Sequence, residues 1–137
     1  MYLLDTNVVS ELRKRKPHGG VAAWLRSVPE TDLYLSAVTL GEIQAGIEIT
    51  REQDEAKAGE IEAWANLLSD AFNVVPMDGR TFRLWARLMH RAPDTLYEDA
   101  MIASTALVHQ LTVVTRNTSD FKRFDVPLLN PFNLAER

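Results

Sequence analysis

The 137-residue sequence predicts an α/β protein with a parallel sheet covered by helices on both faces. Two observations support this fold class. Short apolar, strand-like runs alternate with segments of helical period, which is the pattern of parallel βαβ units. The first run, residues 1–4, ends abruptly at Asp5, so a carboxylate stands at the carboxyl end of a strand, where open α/β sheets bind ligands.

Composition and length narrow the class of protein. A chain of this size fits one domain, predicted to span residues 1–137, and 46% hydrophobic with 25% charged residues is typical of an ordered globular protein. The absence of cysteine excludes disulfides and thiolate metal sites. No apolar stretch approaches the roughly 20 residues that span a bilayer. No basic region precedes the first apolar run, so we expect a cytoplasmic protein without membrane contact.

The net charge of −4 counts against a protein that coats nucleic acid by bulk attraction. It leaves a nuclease possible, because a nuclease gathers its acids at one metal site.

The first strand is followed by a predicted helix over residues 8–13, for which Thr6 and Asn7 can act as caps. Asp5 could itself cap this helix instead of holding a ligand. The basic run at residues 13–16 is typical of a helix end, and RNA phosphates are its alternative partner. A short helix over residues 21–25 follows.

Residues 33–36 form the second predicted strand and lead into a helix over residues 37–48. One face of this helix carries a stripe made by Val38, Glu42, Ala45 and Ile49. A carboxylate in an apolar stripe is costly unless a metal or partner compensates it, although Glu42 could also turn out to solvent.

A long helical pattern over residues 52–71 has a weakly anchored first half, predicted to project from the body or to pack on another chain. Residues 72–76 are the third strand. Asp78 can cap the next helix, whose core stripe is predicted to contain Phe82, Trp85 and Met89. Its opposite face is solvated surface or an RNA-contacting row, with the candidate phosphate ligands Arg80, Arg83 and Arg87 followed by Arg91.

Residues 97–107 form a helix on which Asp99 shares a small apolar face with Ile102, Ala103 and Ala106. This face can lie close against the sheet and carry Asp99 toward the strand ends, while Glu98 is expected to point elsewhere. Residues 111–115 are the fourth predicted strand, and residues 126–129 are the candidate for a short fifth.

In this architecture several acids can reach one edge of the sheet: Asp5, Glu42, Asp99 and the loop that carries Asn117 and Asp120. Clustered carboxylates raise one another's pKa values, and a divalent cation relieves the repulsion. Oxygen ligands without clustered His or Cys favour Mg²⁺ or Mn²⁺. Such a metal suits hydrolysis of a phosphate ester, because it activates water and offsets charge on the phosphate.

Four motifs in order resemble the PIN-domain family, specifically its VapC-type toxins and their FitB-like branch. They start at Tyr2 (YLLDTNVVSEL), Leu35 (LSAVTLGEI), Asp99 (DAMIASTA) and Thr115 (TRNTSDF). The resemblance runs nearly end to end. It implies a PIN-like three-layer α/β/α sandwich with a central, mainly parallel sheet of four to five strands. It also implies a Mg²⁺- or Mn²⁺-dependent endoribonuclease that acts as the toxin of a toxin–antitoxin pair.

The resemblance assigns Asp5, Glu42 and Asp99 to the family's acidic positions, with Asp5 and Asp99 as direct metal ligands. Thr6 and Thr115 match hydroxyl positions beside the site. A fourth acid is common after the last strand, but Asn117 stands there and Asp120 is the nearest carboxylate. Implied partners are an RNA substrate, a VapB-like antitoxin, a second copy of the chain in a homodimer, and operator DNA bound through the antitoxin. The helix from residue 52 is the candidate antitoxin contact.

Two alternatives remain at this stage. The chain could be a PIN fold that acts mainly as a binding partner in an antitoxin–DNA complex, although retention of the acids at 5, 42 and 99 favours activity. A haloacid-dehalogenase-like phosphohydrolase is more distant, because that chemistry needs a second aspartate where this sequence has Asn7.

Overall fold

The computed structural model describes residues 1–134 and contains a five-stranded sheet in which all neighbouring strands are parallel. The last three residues of the predicted domain, 135–137, lie outside the described residues. The strands are β1 (Tyr2–Leu4), β2 (Leu33–Ser36), β3 (Asn73–Val75), β4 (Thr112–Val114) and β5 (Leu128–Leu129). Their order is β3-β2-β1-β4-β5, so β1 is central.

Helices cover both faces of this sheet, and the predicted three-layer α/β/α sandwich is confirmed. Leu4 of β1 is fully buried in a core on one side, and Leu3 is fully buried in a second core on the other. The helices are α1 (Thr6–Val9), α2 (Gly19–Ser27), α3 (Ala37–Arg51), α4 (Glu55–Ala71), α5 (Gly79–Met89), α6 (Tyr97–His109) and α7 (Thr118–Phe121). Helices α1 to α4 contribute to the Leu4 core, and α5 to α7 to the Leu3 core.

The strand register brings the candidate site together. Leu4 pairs with Leu35 of β2 and Val114 of β4. The residues that follow these three therefore leave the sheet at the same carboxyl edge, and the Asp5 N–H donates to the Val114 carbonyl at 2.9 Å. Parallel pairing thus places Asp5 and Thr115 side by side although 110 positions separate them.

Helix α6 packs as its small residues predict. Ala100, Ala103 and Ala106 are fully buried, and Ile102 is 1% exposed. Because these side chains are short, the helix axis can approach the sheet closely, and the first turn of α6 is carried to the carboxyl edge together with Asp99.

The prediction for the helix after residue 52 was wrong in its packing. The helix is interrupted over residues 52–54, and the Asp54 side chain accepts a hydrogen bond from the Lys57 N–H at 3.0 Å. Helix α4 then folds back and packs on α3. Ala58 in its first half is fully buried. Arg51 at the end of α3 pairs with Glu55 and Glu62 of α4. Charged residues, which we expected to leave the start of α4 weakly anchored, therefore connect it to α3.

Two predicted core stripes are also corrected. In α3 the buried residues are Thr39, Ile43 and Ile47, whereas Ile49 is 66% exposed. In α5 the fully buried residue is Thr81 and Phe82 is 45% exposed, whereas Trp85 and Met89 of the predicted stripe pack partly buried against the Leu3 core. Both helices carry apolar side chains on more than one face, so helical period alone could not select the face that meets the sheet. No helix within residues 1–134 combines the length and apolar character needed to cross a bilayer.

Candidate active site

Asp5 is the most deeply placed acid of the site, with 6% of its surface exposed. Its Oδ1 accepts a hydrogen bond from the Thr6 N–H at 2.8 Å, and thereby caps α1. Its Oδ2 accepts from the Thr115 hydroxyl at 2.7 Å and from the Asn7 amide at 3.2 Å. The expected capping role of Asp5 is therefore present, and the same carboxylate lies at the carboxyl edge of the sheet, where its role as a ligand stays a prediction. Thr6 and Asn7, expected as caps, lie inside α1 instead.

Glu42 is joined to this group through Thr6. The Thr6 hydroxyl donates to Glu42 Oε1 at 3.0 Å and also lies 3.4 Å from the hydroxyl of the buried Thr39. Helix α3 starts directly after β2, with the Ser36 hydroxyl accepting from the Val38 N–H, so its second turn stands over the sheet edge. Glu42 is half-buried there rather than turned fully to solvent.

Asp99 reaches the same edge from the first turn of α6 and is also half-buried. Two further carboxylates are near enough to Glu42 and Asp99 to raise their pKa values. Glu98 is exposed, but its carboxyl group contacts that of Glu42, so the expectation that it points away from the site was wrong. Asp120, exposed on α7, raises the pKa of Asp99 by its negative charge.

The loop after β4 closes the site through main-chain bonds. The Asn117 N–H donates to the Thr115 hydroxyl at 3.0 Å, and the Arg116 N–H donates to Asn7 Oδ1 at 3.2 Å. Asn117 itself is exposed. Each polar group around Asp5 thus has its own partner, which keeps the carboxylate in one orientation.

Burial is the main cause of an unusual set of pKa values. Burial raises the pKa of Asp5, against the opposing hydrogen bonds from Thr115, Thr6 and Asn7. Burial raises the pKa of Glu42 to about 7, opposed by the Thr6 hydroxyl and assisted by the charges of Glu98 and Asp5. Burial raises the pKa of Asp99 to about 6, assisted by the charges of Asp5, Asp120 and Glu98.

These acids suit a hard divalent cation in their chemistry. Their mutual repulsion is the condition that a bound cation relieves, and all donors are carboxylate oxygens. Within the described part of the chain, no three His, Cys, Asp or Glu side chains converge into a ready-made metal cluster. Asp5 is close enough for its charge to act on Asp99, and Mg²⁺ commonly binds through one or two carboxylates and keeps several waters.

The predicted arginine row lies on α5. Arg80, Arg83 and Arg87 are exposed on α5, and their contact with RNA stays a prediction.

Sequence reasoning missed two residues that the structure brings to the site, Asn7 and Glu98. Asn7 was considered as a cap and as the place of a missing second aspartate, although its position two residues after Asp5 could have indicated the contact. Glu98 gave no signal, because the face of α6 that meets α3 depends on tertiary packing.

Comparisons with known proteins agree with this arrangement. The PIN domain family model matches residues 2–127, and the chain belongs to the PIN-domain family. Toxin FitB of Neisseria gonorrhoeae is 33% identical over 138 residues, covering 97% of this chain and 99% of that protein. VapC ribonuclease Y4jK of Sinorhizobium fredii is 34% identical over 146 residues, covering 98% and 100%.

The fold is shared with a solved structure of FitAB bound to the IR36 DNA fragment. The TM-score is 0.85 at 31% identity, and the match covers 100% of this chain and 99% of that one. The predicted resemblance to VapC-type toxins of the FitB-like branch is confirmed by these relatives. The haloacid-dehalogenase-like alternative loses its support, because the whole chain follows the PIN fold.

Proposed function

We propose that this protein is a metal-dependent endoribonuclease that acts as the toxin of a toxin–antitoxin pair. The observation that carries the proposal is the meeting of Asp5, Glu42 and Asp99 at one sheet edge, where burial raises the pKa values of all three and neighbouring negative charges raise those of Glu42 and Asp99 further. Relatives named as a toxin and as a ribonuclease support the same activity.

Asp5 and Asp99 would hold Mg²⁺ or Mn²⁺, with Glu42 as the third acidic residue. When bound, the cation activates a water and offsets the charge that builds on the phosphate. The chain's own contribution is orientation. Thr115 and the Thr6 N–H fix the two oxygens of Asp5, and the Thr6 hydroxyl fixes Glu42.

Glu42 is the residue best suited to accept a proton from the attacking water, because its pKa of about 7 is close to physiological pH. Asp120 supports the site at a distance through its effect on Asp99. Asn117 stands where a fourth acid is common, and its exposed amide is proposed to contact the substrate, not the metal.

The test compares the wild-type chain with Asp99→Asn and with Asp70→Asn, which changes an exposed aspartate on α4. Each is incubated with mixed cellular RNA in Mg²⁺ or Mn²⁺ and in excess chelator. We expect cleavage by the wild type and Asp70→Asn, loss of at least about 100-fold in Asp99→Asn, and none in chelator. Cleavage that survives both the Asp99 change and the chelator would contradict the proposal.

An antitoxin is the proposed protein partner, and operator DNA would be bound through it. A cleft of about 260 Å³ runs from Thr6 and Glu42 along α3 to Ile61 and Trp64 of α4, so a partner segment lying there can reach the acids. The predicted contact at the helix after residue 52 therefore has a groove beside it. Titration with a VapB-like antitoxin should abolish cleavage, and Trp64→Ala should weaken that inhibition while leaving cleavage by the free toxin unchanged.

The homodimer and the cytoplasmic location also stay proposals. Light scattering of the purified chain tests the first, and cell fractionation the second.

A further inference from the structure

Arg116 directly follows Thr115, whose hydroxyl donates a hydrogen bond to Asp5. The backbone of Arg116 is fixed on both sides. Its own N–H donates to Asn7 Oδ1 at 3.2 Å. The hydroxyl of the preceding Thr115 bonds Asp5 on one side and accepts from the Asn117 N–H on the other. The side chain of Arg116 therefore starts from a fixed backbone position beside the residues that hold Asp5.

The guanidinium of Arg116 is held by an aromatic ring. Its central carbon lies 3.9 Å from the centroid of the Phe132 ring, which is a cation–π stack. Phe132 is positioned in turn: its N–H donates to Asn130 Oδ1 at 2.9 Å, and its ring centroid lies 5.1 Å from that of His18. His18 is fixed because its Nδ1 caps α2, accepting from the Gly20 N–H at 3.1 Å.

Among residues 1–134, Arg116 has no carboxylate partner. The cations that form ion pairs in this part of the chain are Lys14 and Arg51, and the guanidinium of Arg116 donates no hydrogen bond there. The charge of Arg116 is the smallest of the causes that act on the pKa of Glu11, which pairs with Lys14 and accepts from the His18 N–H. Within the described part of the chain, Arg116 is thus held beside an acidic site with its donors unused.

Stability alone is a poor explanation for this stack. An exposed cation–π contact is a weak interaction, and it restricts a side chain that otherwise has many rotamers. The stack does, however, remove the entropy that phosphate binding would otherwise cost. A planar fork held in one place is the group that recognises phosphate oxygens bidentately.

We propose that Arg116 binds an RNA phosphate next to the scissile one, and that Phe132 is the positioning residue that holds its guanidinium ready. The proposal rests on the proposed ribonuclease function. An RNA strand that reaches Asp5, Glu42 and Asp99 meets negatively charged carboxylates. A fixed cation beside these acids therefore supplies the positive charge that attracts the RNA phosphates.

Arg116 is assigned to a neighbouring phosphate because its guanidinium is stacked on Phe132 and forms no ion pair with the acids of the site among residues 1–134. We therefore expect Arg116 to contribute mainly to substrate binding.

The test measures binding without cleavage. The probe is a short fluorescein-labelled single-stranded RNA in excess chelator, followed by anisotropy between about 50 and 200 mM salt. The variants are Arg116→Gln, Arg116→Lys, Phe132→Leu and the double variant. Arg26→Gln is the matched control, because it removes an exposed arginine at the far end of α2.

We expect Arg116→Gln to weaken binding about 10-fold and to lower the slope of log K against log salt by about 0.7, the value for one lost contact on a single strand. Arg116→Lys should lose less affinity and keep the slope. Phe132→Leu should also lose less affinity and keep the slope, since the charge remains. It should add nothing to Arg116→Gln, because both act through one contact.

A thermal melt of each variant separates binding from folding. A lower Tm for Arg116→Gln with wild-type affinity and salt slope would show a purely structural role and overturn the proposal, as would equal losses in Arg116→Gln and Arg26→Gln. If wild type binds the probe with the expected variant pattern but cleaves no RNA in metal, the phosphate site stands and the proposed activity fails. Cleavage with KM unchanged in Arg116→Gln would leave the activity standing and overturn the Arg116 assignment.

Discussion

Asp5 accepts hydrogen bonds from the Thr6 N–H, the Thr115 hydroxyl and the Asn7 amide, and it is almost fully buried. A carboxylate in that position is tolerated because each donor lowers the free energy of its charged form. At the scale of single residues, the site is therefore a set of acids whose ionisation is set by neighbouring donors and neighbouring acids.

Thr115→Val tests the strongest of these donors. The change keeps the volume but removes the 2.7 Å hydrogen bond to a buried carboxylate, so we expect a loss of about 1–3 kcal/mol in the free energy of unfolding at neutral pH. The cleavage rate should fall as well. Chemical denaturation measures the first effect, and Thr112→Val, on the same strand, is the control. Equal stability of the two variants would contradict this account of Asp5.

Glu98→Gln tests the acid that the sequence analysis set aside. Glu98 raises the pKa of Glu42 by its charge and by direct contact, so an uncharged amide should lower that pKa. The acidic limb of the pH–rate profile should move to lower pH. Glu60→Gln, on the exposed side of α4, should leave the profile unchanged. An unmoved profile for Glu98→Gln would remove Glu98 from the site.

At the scale of elements, close approach decides which segments can meet. The start of α2 lies against the last described segment of the chain. A Cβ built on Gly20 would stand 2.5 Å from the Leu134 carbonyl oxygen and 2.7 Å from that of Pro131. Glycine is needed at this position because of backbone contact, and that contact also fixes the segment carrying Phe132.

Gly20→Ala should therefore destabilise the protein and displace the segment around Phe132. Gly46→Ala is the matched control: nothing lies within 4 Å of its added Cβ, and alanine favours a helix over glycine by about 0.5–1 kcal/mol. We expect Tm to fall for the first variant and to rise for the second. A Gly20→Ala protein as stable as wild type would show that the segment around Phe132 moves aside without loss of stability.

At the scale of the whole molecule, the carboxylates of the site destabilise the folded state when they are ionised. For an acid whose pKa is raised by folding, the stabilising contribution is present below the unfolded pKa and is lost as pH rises through the folded one. Glu42 rises from 4.5 to about 7 and Asp99 from 3.8 to about 6. Without metal, the free energy of unfolding contributed by these groups should decline between about pH 4 and pH 7.

Thermal melts in chelator and in Mg²⁺ at pH 5 and pH 8 check this linkage. In chelator, Glu42→Gln should be less sensitive than wild type to the rise in pH. Added Mg²⁺ should raise the Tm of wild type more at pH 8 than at pH 5, because protonated carboxyls do not bind the cation. Ca²⁺-free buffer with K⁺ at matched ionic strength is the control. A Mg²⁺ effect of equal size at both pH values would contradict binding at these acids.

The sequence by itself determined the fold class, four of the five strands with residues 126–129 as a candidate fifth, and the acids at positions 5, 42 and 99 as candidates for one sheet edge. It could do so because strand–helix alternation and an acid after a buried strand are local patterns, and parallel pairing sends each strand's end to one edge. The capping role of Asp78 and the small face of α6 were equally local, and both are present.

The tertiary structure alone decided what depends on which face of one helix meets another. It turned Ile49 and Phe82 outward, buried Ala58 against α3, brought Glu98 to Glu42 and stacked Arg116 on Phe132. Helical period indicates that an apolar face exists, but where several faces carry apolar residues only the competition for buried area selects one. Contacts between residues far apart in sequence follow from that selection.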